Sequence, residues 1–379
     1  MTPDSEANLK QRLLAHLDQG TTDMAPAPYA NPTSMYTSTD VLAREMKTFF
    51  ADGVLCAGLS ADIPASPEWM TLDIAGRSVV VARDESGALR AFLNVCRHRG
   101  APVAEGRGTT RLLTCPYHGW AYDLKGALVA RPKEDGFSAI DKCDMGLAQV
   151  PVTEKNGLVF LSCNPAHPAI DPAAVLGASD DQFAAFHLDR YVRFGTRKLS
   201  KRMNWKLVVD TFLEAYHLET LHSKSLAPMI HSHYCAWDEW GSIGRLTAPR
   251  KSIANMNGGD LAPHVTQLYF LFPNMVLINQ QDHVETFQAF PKQGAVDEAD
   301  IVVSLYCPSQ PATDSEERHW KNNFDLLVRV TETEDFDLCE KIQAGFSAGA
   351  QTHVTYGRNE PGLQHYHRSI KQALGIADA

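Results

Sequence analysis

Cys96-Arg97-His98 and Cys115-Pro116-Tyr117-His118 each set a thiol beside an imidazole, with residues 99–114 between the pairs. Two Cys and two His at such short spacings can hold zinc or a [2Fe–2S] cluster. Zinc sites usually pair Cys with Cys and His with His. Here each pair is mixed, which suits a cluster whose one iron takes both thiolates and whose other takes both imidazoles. Gly100, Gly106, Gly108 and Gly119 stand nearby, and glycine lets backbone amides approach a cluster closely. Chance spacing of core residues is the alternative.

A second set lies in Asn204–His222, which reads as helix. Asp210, Glu214 and His217 fall at i, i+4 and i+7 and share one face. His222 follows His217 by five residues, about 500° of winding, so the two imidazoles would diverge by roughly 140° on a regular helix. They can meet one metal only if the helix bulges, kinks or ends, which predicts a break or π-type irregularity within 217–222. Taken alone, these side chains could equally form a solvated or core-satisfied face. Further acids, Glu334, Asp335 and Asp337, precede Gln343-Ala-Gly345. The plain role for such acids is to decorate a helix N-terminus.

These groups need elements to position them. The chain has 379 residues, enough for two or three domains with cores of their own. Lys+Arg is 35 against Asp+Glu 45, a net charge of −10, which argues against a general nucleic-acid binder. No run nears 18 apolar residues, so no membrane helix is expected. The start lacks a basic segment followed by an apolar one, so a cytoplasmic protein is expected. Eight cysteines are too sparse for a disulfide scaffold.

Residues 1–36 read as a short helix near 6–18 and a Pro-punctuated N-terminal arm, and 37–50 as an amphipathic helix. From 52 to 162 short apolar runs alternate with turns such as DESG and DLKG, a small antiparallel β domain. Residues 164–185 are a Pro/Ala-rich connection. The region 186–379 has helix near 201–223, a strand-rich middle and a helical end at 314–345. The fold class is α+β. Within LYFLFPNMVLINQ (268–280), Phe272, Asn274, Val276 and Ile278 alternate and are candidates to line a substrate pocket, with core packing as the alternative. Trp237 and Trp240 could stack on an aromatic ring or a cation.

CRHRG followed by CPYHGW resembles the Rieske [2Fe–2S] motif of ring-hydroxylating oxygenase α subunits. Rieske proteins of respiratory complexes add a disulfide at places that match Ala101 and Tyr117 here, which favours the oxygenase branch. The 204–222 segment is similar to the E-x-Y-H-x-x-x-x-H helix of the same family. The resemblance implies a Rieske domain over 37–165, with Cys96, His98, Cys115 and His118 on the cluster. It also implies a catalytic domain of helix-grip type over 186–379, an antiparallel sheet with flanking helices. His217, His222 and a distant Asp would then bind mononuclear Fe(II) as a facial triad. Spacing to the family's Q-x-G element points to Asp335, with Asp337 second and Glu334 third.

By the same resemblance Glu214 bridges His118 of a neighbouring subunit to His217 in electron transfer. Glu at that place, and the compact length, lean toward amine-type monooxygenases. Thr211 stands where many relatives carry Asn, so an extra Asn ligand is not expected. The implied activity is O2-dependent monooxygenation of a small organic molecule by N- or O-dealkylation or C–N cleavage. Electrons would come from NAD(P)H through a separate reductase, with a ferredoxin as a further candidate partner. The implied assembly is a head-to-tail homotrimer. Two other readings compete: a cis-dihydroxylating aromatic ring dioxygenase, and an electron carrier or zinc-stapled binding protein.

Overall fold

The computed structural model describes residues 3–256, 259–280 and 282–378. The chain folds as two compact units. One comprises 46–175 with 187–189; the larger comprises 1–45, 176–186 and 190–379.

The smaller unit is antiparallel β. Its five-stranded sheet runs Gln149–Val150, Leu89–Leu93, Arg77–Arg83, Trp69–Ile74, Arg107–Gly108. Val152–Lys155, Leu158–Ser162 and Val54–Leu59 form a second sheet, and Leu112–Thr114, Ala121–Asp123 and Leu128–Ala130 a third. One apolar cluster gathers Val80, Phe92, Leu113, Trp120 and Tyr122 around Cys96 and Cys115. Both thiols are therefore rooted in a core rather than in loose loops.

The larger unit is built on a seven-stranded antiparallel sheet. Its order is Val192–Lys201, Ala299–Cys307, Val284–Pro291, Met275–Asn279, Val265–Leu271, Ile243–Pro249, Ala236–Trp240. Every residue of Val284–Pro291 is buried, as expected of a strand covered on both faces. Helix Lys206–Phe212 packs on the two central strands Met275–Asn279 and Val284–Pro291. Helix Asp314–Val330 packs on Val192–Lys201 and Ala299–Cys307. It begins with a capping box: Thr313 Oγ1 accepts from Glu316 N at 3.2 Å and Glu316 Oε2 from Thr313 N at 3.1 Å.

Four sequence expectations need correction. Residues 1–36 are not a separate arm. Leu9 and Leu13 of helix Pro3–Gln19 bury against Ala236, Ile253 and Leu261, and Tyr29–Pro32 is a strand paired with His353–Tyr356. Residues 37–45 also belong to the larger unit; the helix expected over 37–50 is α-helical at Thr39–Glu45 and turns π-helical at Met46–Ala51.

The helix expected over 201–223 is a strand to Lys201, a helix Lys206–Phe212 and one turn Leu218–Leu221. It is interrupted because Glu214 Oε2 accepts the His217 N–H at 3.1 Å, a proton that a continuous helix would give to the Leu213 carbonyl. The break opens before His217, and the turn that follows, Leu218–Leu221, begins and ends within the expected 217–222.

Finally, Phe272, Asn274, Val276 and Ile278 do not share one strand face, because 268–280 is a hairpin. Met275 pairs with Leu271 across a turn holding Pro273, whose ring nitrogen has no proton for a ladder.

Candidate functional site

The two loops of the smaller unit share one hydrogen-bond pattern. Cys96 N donates to Ala101 O at 2.8 Å and Gly100 N to Cys96 O at 2.9 Å. Cys115 N donates to Trp120 O at 2.8 Å and Gly119 N to Cys115 O at 3.0 Å. The closing glycines take φ of 81° and 73°, a region that a Cβ disfavours. Each loop thus buries its sulfur and projects its imidazole. The His98 and His118 rings lie 4.6 Å apart, and His98 stacks on Trp120 at 4.8 Å and 6°. Tyr122 Oη lies 3.3 Å from Cys96 Sγ and accepts from Arg97 N at 3.0 Å.

All eight cysteines are free thiols. His98 Nδ1 is buried without a hydrogen-bond partner among the described residues. A buried nitrogen left so is costly unless it is a ligand. Two buried thiols and two adjacent imidazoles, one nitrogen unsatisfied, fit a [2Fe–2S] cluster held by Cys96, Cys115, His98 and His118. His118 is exposed, as an edge that passes electrons outward would be.

In the larger unit His217, His222 and Asp335 converge, with one potential ligand atom from each within 4.8 Å of the others. His217 and His222 sit at the two ends of the single turn Leu218–Leu221, which lets residues five apart meet; their rings are 5.1 Å apart. Asp335 arrives on a π-helical turn, Thr331–Phe336. Such an insertion in a helix swings a side chain out of regular register. The irregularity expected near the histidines is thus found at the carboxylate as well.

The inner nitrogens face Asp335: His222 Nε2 is 2.8 Å and His217 Nε2 3.7 Å from its Oδ1. The outer nitrogens are held by other acids. His222 Nδ1 meets Glu334 Oε2 at 2.8 Å, and His217 Nδ1 is hydrogen-bonded to Glu214. A carboxylate on Nδ1 fixes the proton there and leaves Nε2 free to ligate. This arrangement could hold one divalent iron with open positions. Asp337 points elsewhere, to Lys201 Nζ at 2.9 Å, and is half-exposed. Glu334, weighed from sequence as a third-choice ligand, is placed behind His222. Thr211 Oγ1 bonds the Leu207 carbonyl at 3.1 Å.

Because Glu334 sets the tautomer of His222, Glu334→Gln is expected to weaken metal retention about 10- to 100-fold. Titrating Fe(II) into metal-depleted protein measures this.

A cavity of about 320 Å³ opens beside the three residues. Its sheet wall is Leu246, Ala248, Leu268 and Ile278, and Leu226, Leu327 and Val330 face them. Of the four pocket candidates only Ile278 lines it. Val276 lies one register step inward, paired with Phe270 and Phe287, where Phe212 packs tilted on Phe287 with ring centroids 4.3 Å apart. Asn274 is buried and donates to Ala289 O at 3.0 Å, and Phe272 is in the turn. Trp237 and Trp240 are not in the cavity wall; Trp240 faces an internal cation, Arg245, at 5.3 Å.

Sequence reading missed Arg250, Gln280, His283 and Glu285 at the cavity's outer end. Their signal was polar residues continuing the alternation of apolar strands.

The family described as the Rieske [2Fe-2S] domain matches residues 53–151, and the catalytic domain of ring hydroxylating alpha subunits matches 188–376. The chain is 34% identical over 200 residues to the glycine betaine monooxygenase oxygenase subunit of Chromohalobacter salexigens, covering 52% of this chain and 44% of that protein. It thus spans less than half the length of that relative. It is 26% identical to the carnitine monooxygenase oxygenase subunit of Escherichia coli K12, over 90% of this chain and 93% of that one. The crystal structure of the quaternary ammonium Rieske monooxygenase CntA with an inhibitor superposes with a TM-score of 0.80 at 21% identity, covering 93% and 96% of the two chains. A Rieske cluster domain joined to a ring-hydroxylating catalytic domain places this chain among the Rieske non-haem iron oxygenases, as an α (oxygenase) subunit.

Proposed function

We propose that the chain is the terminal component of a monooxygenase system that acts on a small organic molecule by N- or O-dealkylation or C–N cleavage. The observation that carries this is the convergence of two Nε2 atoms and one carboxylate at the wall of an apolar cavity. The names of the relatives, glycine betaine and carnitine monooxygenase oxygenase subunits, support monooxygenation at a carbon next to nitrogen. In this reading Cys96 and Cys115 hold one cluster iron, His98 and His118 the other, and His217, His222 and Asp335 the mononuclear iron. The bound metals supply electron storage and O2 activation.

The residues do the rest. Leu246, Leu268 and Ile278 keep water from the reacting carbon. Glu214 holds the proton on His217 Nδ1. Its exposed neighbour Tyr216 marks the face on which His118 of a second copy would dock, consistent with a ring of three. Overall, O2, two electrons and two protons convert a C–H bond to C–OH with release of one water. The carbinol then breaks at its heteroatom. A separate NAD(P)H-dependent reductase, with or without a ferredoxin, supplies the electrons.

Metal and sulfide analysis of the purified protein tests the assignment. About three iron and two acid-labile sulfide per chain, with colour that bleaches on dithionite, is the expected result. One zinc without sulfide would sink it. An aldehyde released on turnover marks dealkylation; a cis-diol carrying both atoms of O2 would mark a dioxygenase.

A further inference from the structure

The cavity floor changes character along the sheet. Leu246, Leu268, Ile278 and Glu285 pair in one row across four strands. One step outward Ala248 pairs with Thr266, and Gln280 and His283, joined by a 3.0 Å backbone bond, continue that row. Arg250 follows Ala248 on the same face. The inner row is mostly aliphatic and the outer one polar.

The outer groups are nearly all engaged with one another. Gln280 Oε1 accepts from Arg250 Nη2 and from Thr266 Oγ1 at 3.3 Å, and its Nε2 donates to Glu285 Oε2 at 3.3 Å. His283 meets Glu285 Oε1 at 3.1 Å through Nε2 and Asp282 Oδ1 at 2.7 Å through Nδ1. Asp282 Oδ2 faces His319 Nε2 at 2.9 Å. Burial alone would push the His283 imidazole down, but the two carboxylates outweigh it and raise it to about 9. It is therefore a cation at neutral pH, and Arg250 is another. Both carboxylates already accept on each oxygen. The guanidinium has open capacity: Nη1 has no hydrogen-bond partner among the described residues, and Nε makes only a 3.4 Å contact to Val265 O.

A quaternary ammonium ion needs aromatic faces or an open carboxylate. Phe212 is the only Phe, Tyr or Trp ring among the described lining residues, and its ring packs on Phe287. We infer that the substrate is an amphiphilic organic carboxylate, its apolar body over Leu246, Leu268 and Ile278 and its carboxylate on Arg250. Arg250 is then a specificity-determining residue that orients the substrate toward the metal wall. The inference rests on the oxygenase reading of the same cavity.

Calorimetric titration of the brown, metal-loaded protein tests it with two matched sets: hexanoate, hexanamide and hexyltrimethylammonium, and the 4-tert-butylphenyl carboxylate, carboxamide and trimethylammonium. The carboxylate is expected to bind at least about tenfold tighter than its partners in one or both sets. Arg250→Gln is expected to remove about 10- to 100-fold of that affinity, and Arg250→Lys to retain part of it. Tightest binding by a trimethylammonium compound, unchanged carboxylate affinity in Arg250→Gln, or no binding by any of the six would overturn the inference. Iron and sulfide are measured on the same samples. Full metal content with no carboxylate preference rejects only the substrate class, whereas missing sulfide rejects the oxygenase reading itself.

Discussion

Replacing Asp335 by Ala is expected to take the protein from about three iron per chain to about two while leaving sulfide near two. Turnover should fall by at least on the order of 100-fold, since losing only an outer partner of a metal ligand costs 10- to 100-fold. The dithionite-bleachable visible band should be unchanged, because the residues placed on the cluster belong to a different unit. Asp337→Asn is the matched control. Asp337 is half-exposed where it pairs with the largely covered Lys201, so its loss should change stability by no more than about 1 kcal/mol and leave iron and turnover as they were. If Asp337→Asn lost the third iron and Asp335→Ala kept it, the assignment of the carboxylate would be reversed. Iron and sulfide determination on the two variants decides this without a substrate.

The second large effect lies away from the cavity. Glu45 and Lys206 form an ion pair whose side chains are both 0% exposed, with Nζ 2.6 Å from Oε1. Glu45 Oε2 also accepts from Trp205 Nε1 at 2.9 Å. Burial lowers the Lys206 ammonium and the nearby Glu45 and Asp210 carboxylates oppose it. Glu45→Ala leaves the buried Lys206 ammonium without its paired carboxylate and removes the acceptor 2.9 Å from Trp205 Nε1. The expected loss is about 3–5 kcal/mol, or roughly 6–20 °C in the melting of the larger unit. The double change Glu45→Leu with Lys206→Met should recover most of it, because a packed apolar pair replaces two desolvated charges. Thermal denaturation followed by circular dichroism measures both. A single variant as stable as the parent would show that water reaches the pair.

The sequence made some of this architecture visible and hid the rest for physical reasons. The two Cys–His pairs are local, so spacing alone brought each thiol beside its imidazole. The β character of 52–162 was legible because apolar runs and turn sequences alternate there. His222 and Asp335 are 113 residues apart, and no local pattern announces the π-helical turn that carries Asp335, since one extra residue in a helix leaves composition unchanged. The alternation over 272–278 did not reveal the hairpin because both of its arms are apolar; Pro273 was the available signal for the turn. The interruption at 213–217 depends on a side-chain carboxylate capturing a backbone proton, which helical periodicity does not encode. The N-terminal strand was missed because its partner, His353–Tyr356, is more than 300 residues away.

That last pairing governs how the chain is made. Leu9, Leu13, Tyr29 and Tyr36 are made before the rest of the larger unit and are buried in the finished protein, yet the strand that covers Tyr29–Pro32 is made more than 300 residues later. At about 5–20 residues per second the interval is on the order of 15–60 s. During it, the segment 46–175, which holds both thiol loops, is complete and can fold. The segment 3–45 meanwhile lacks the later residues that cover Leu9, Leu13 and Tyr29–Pro32. Completion of the smaller unit and closure of the larger one are thus separated in time, and a truncation before His353 is expected to leave Tyr29–Pro32 exposed to aggregation or proteolysis.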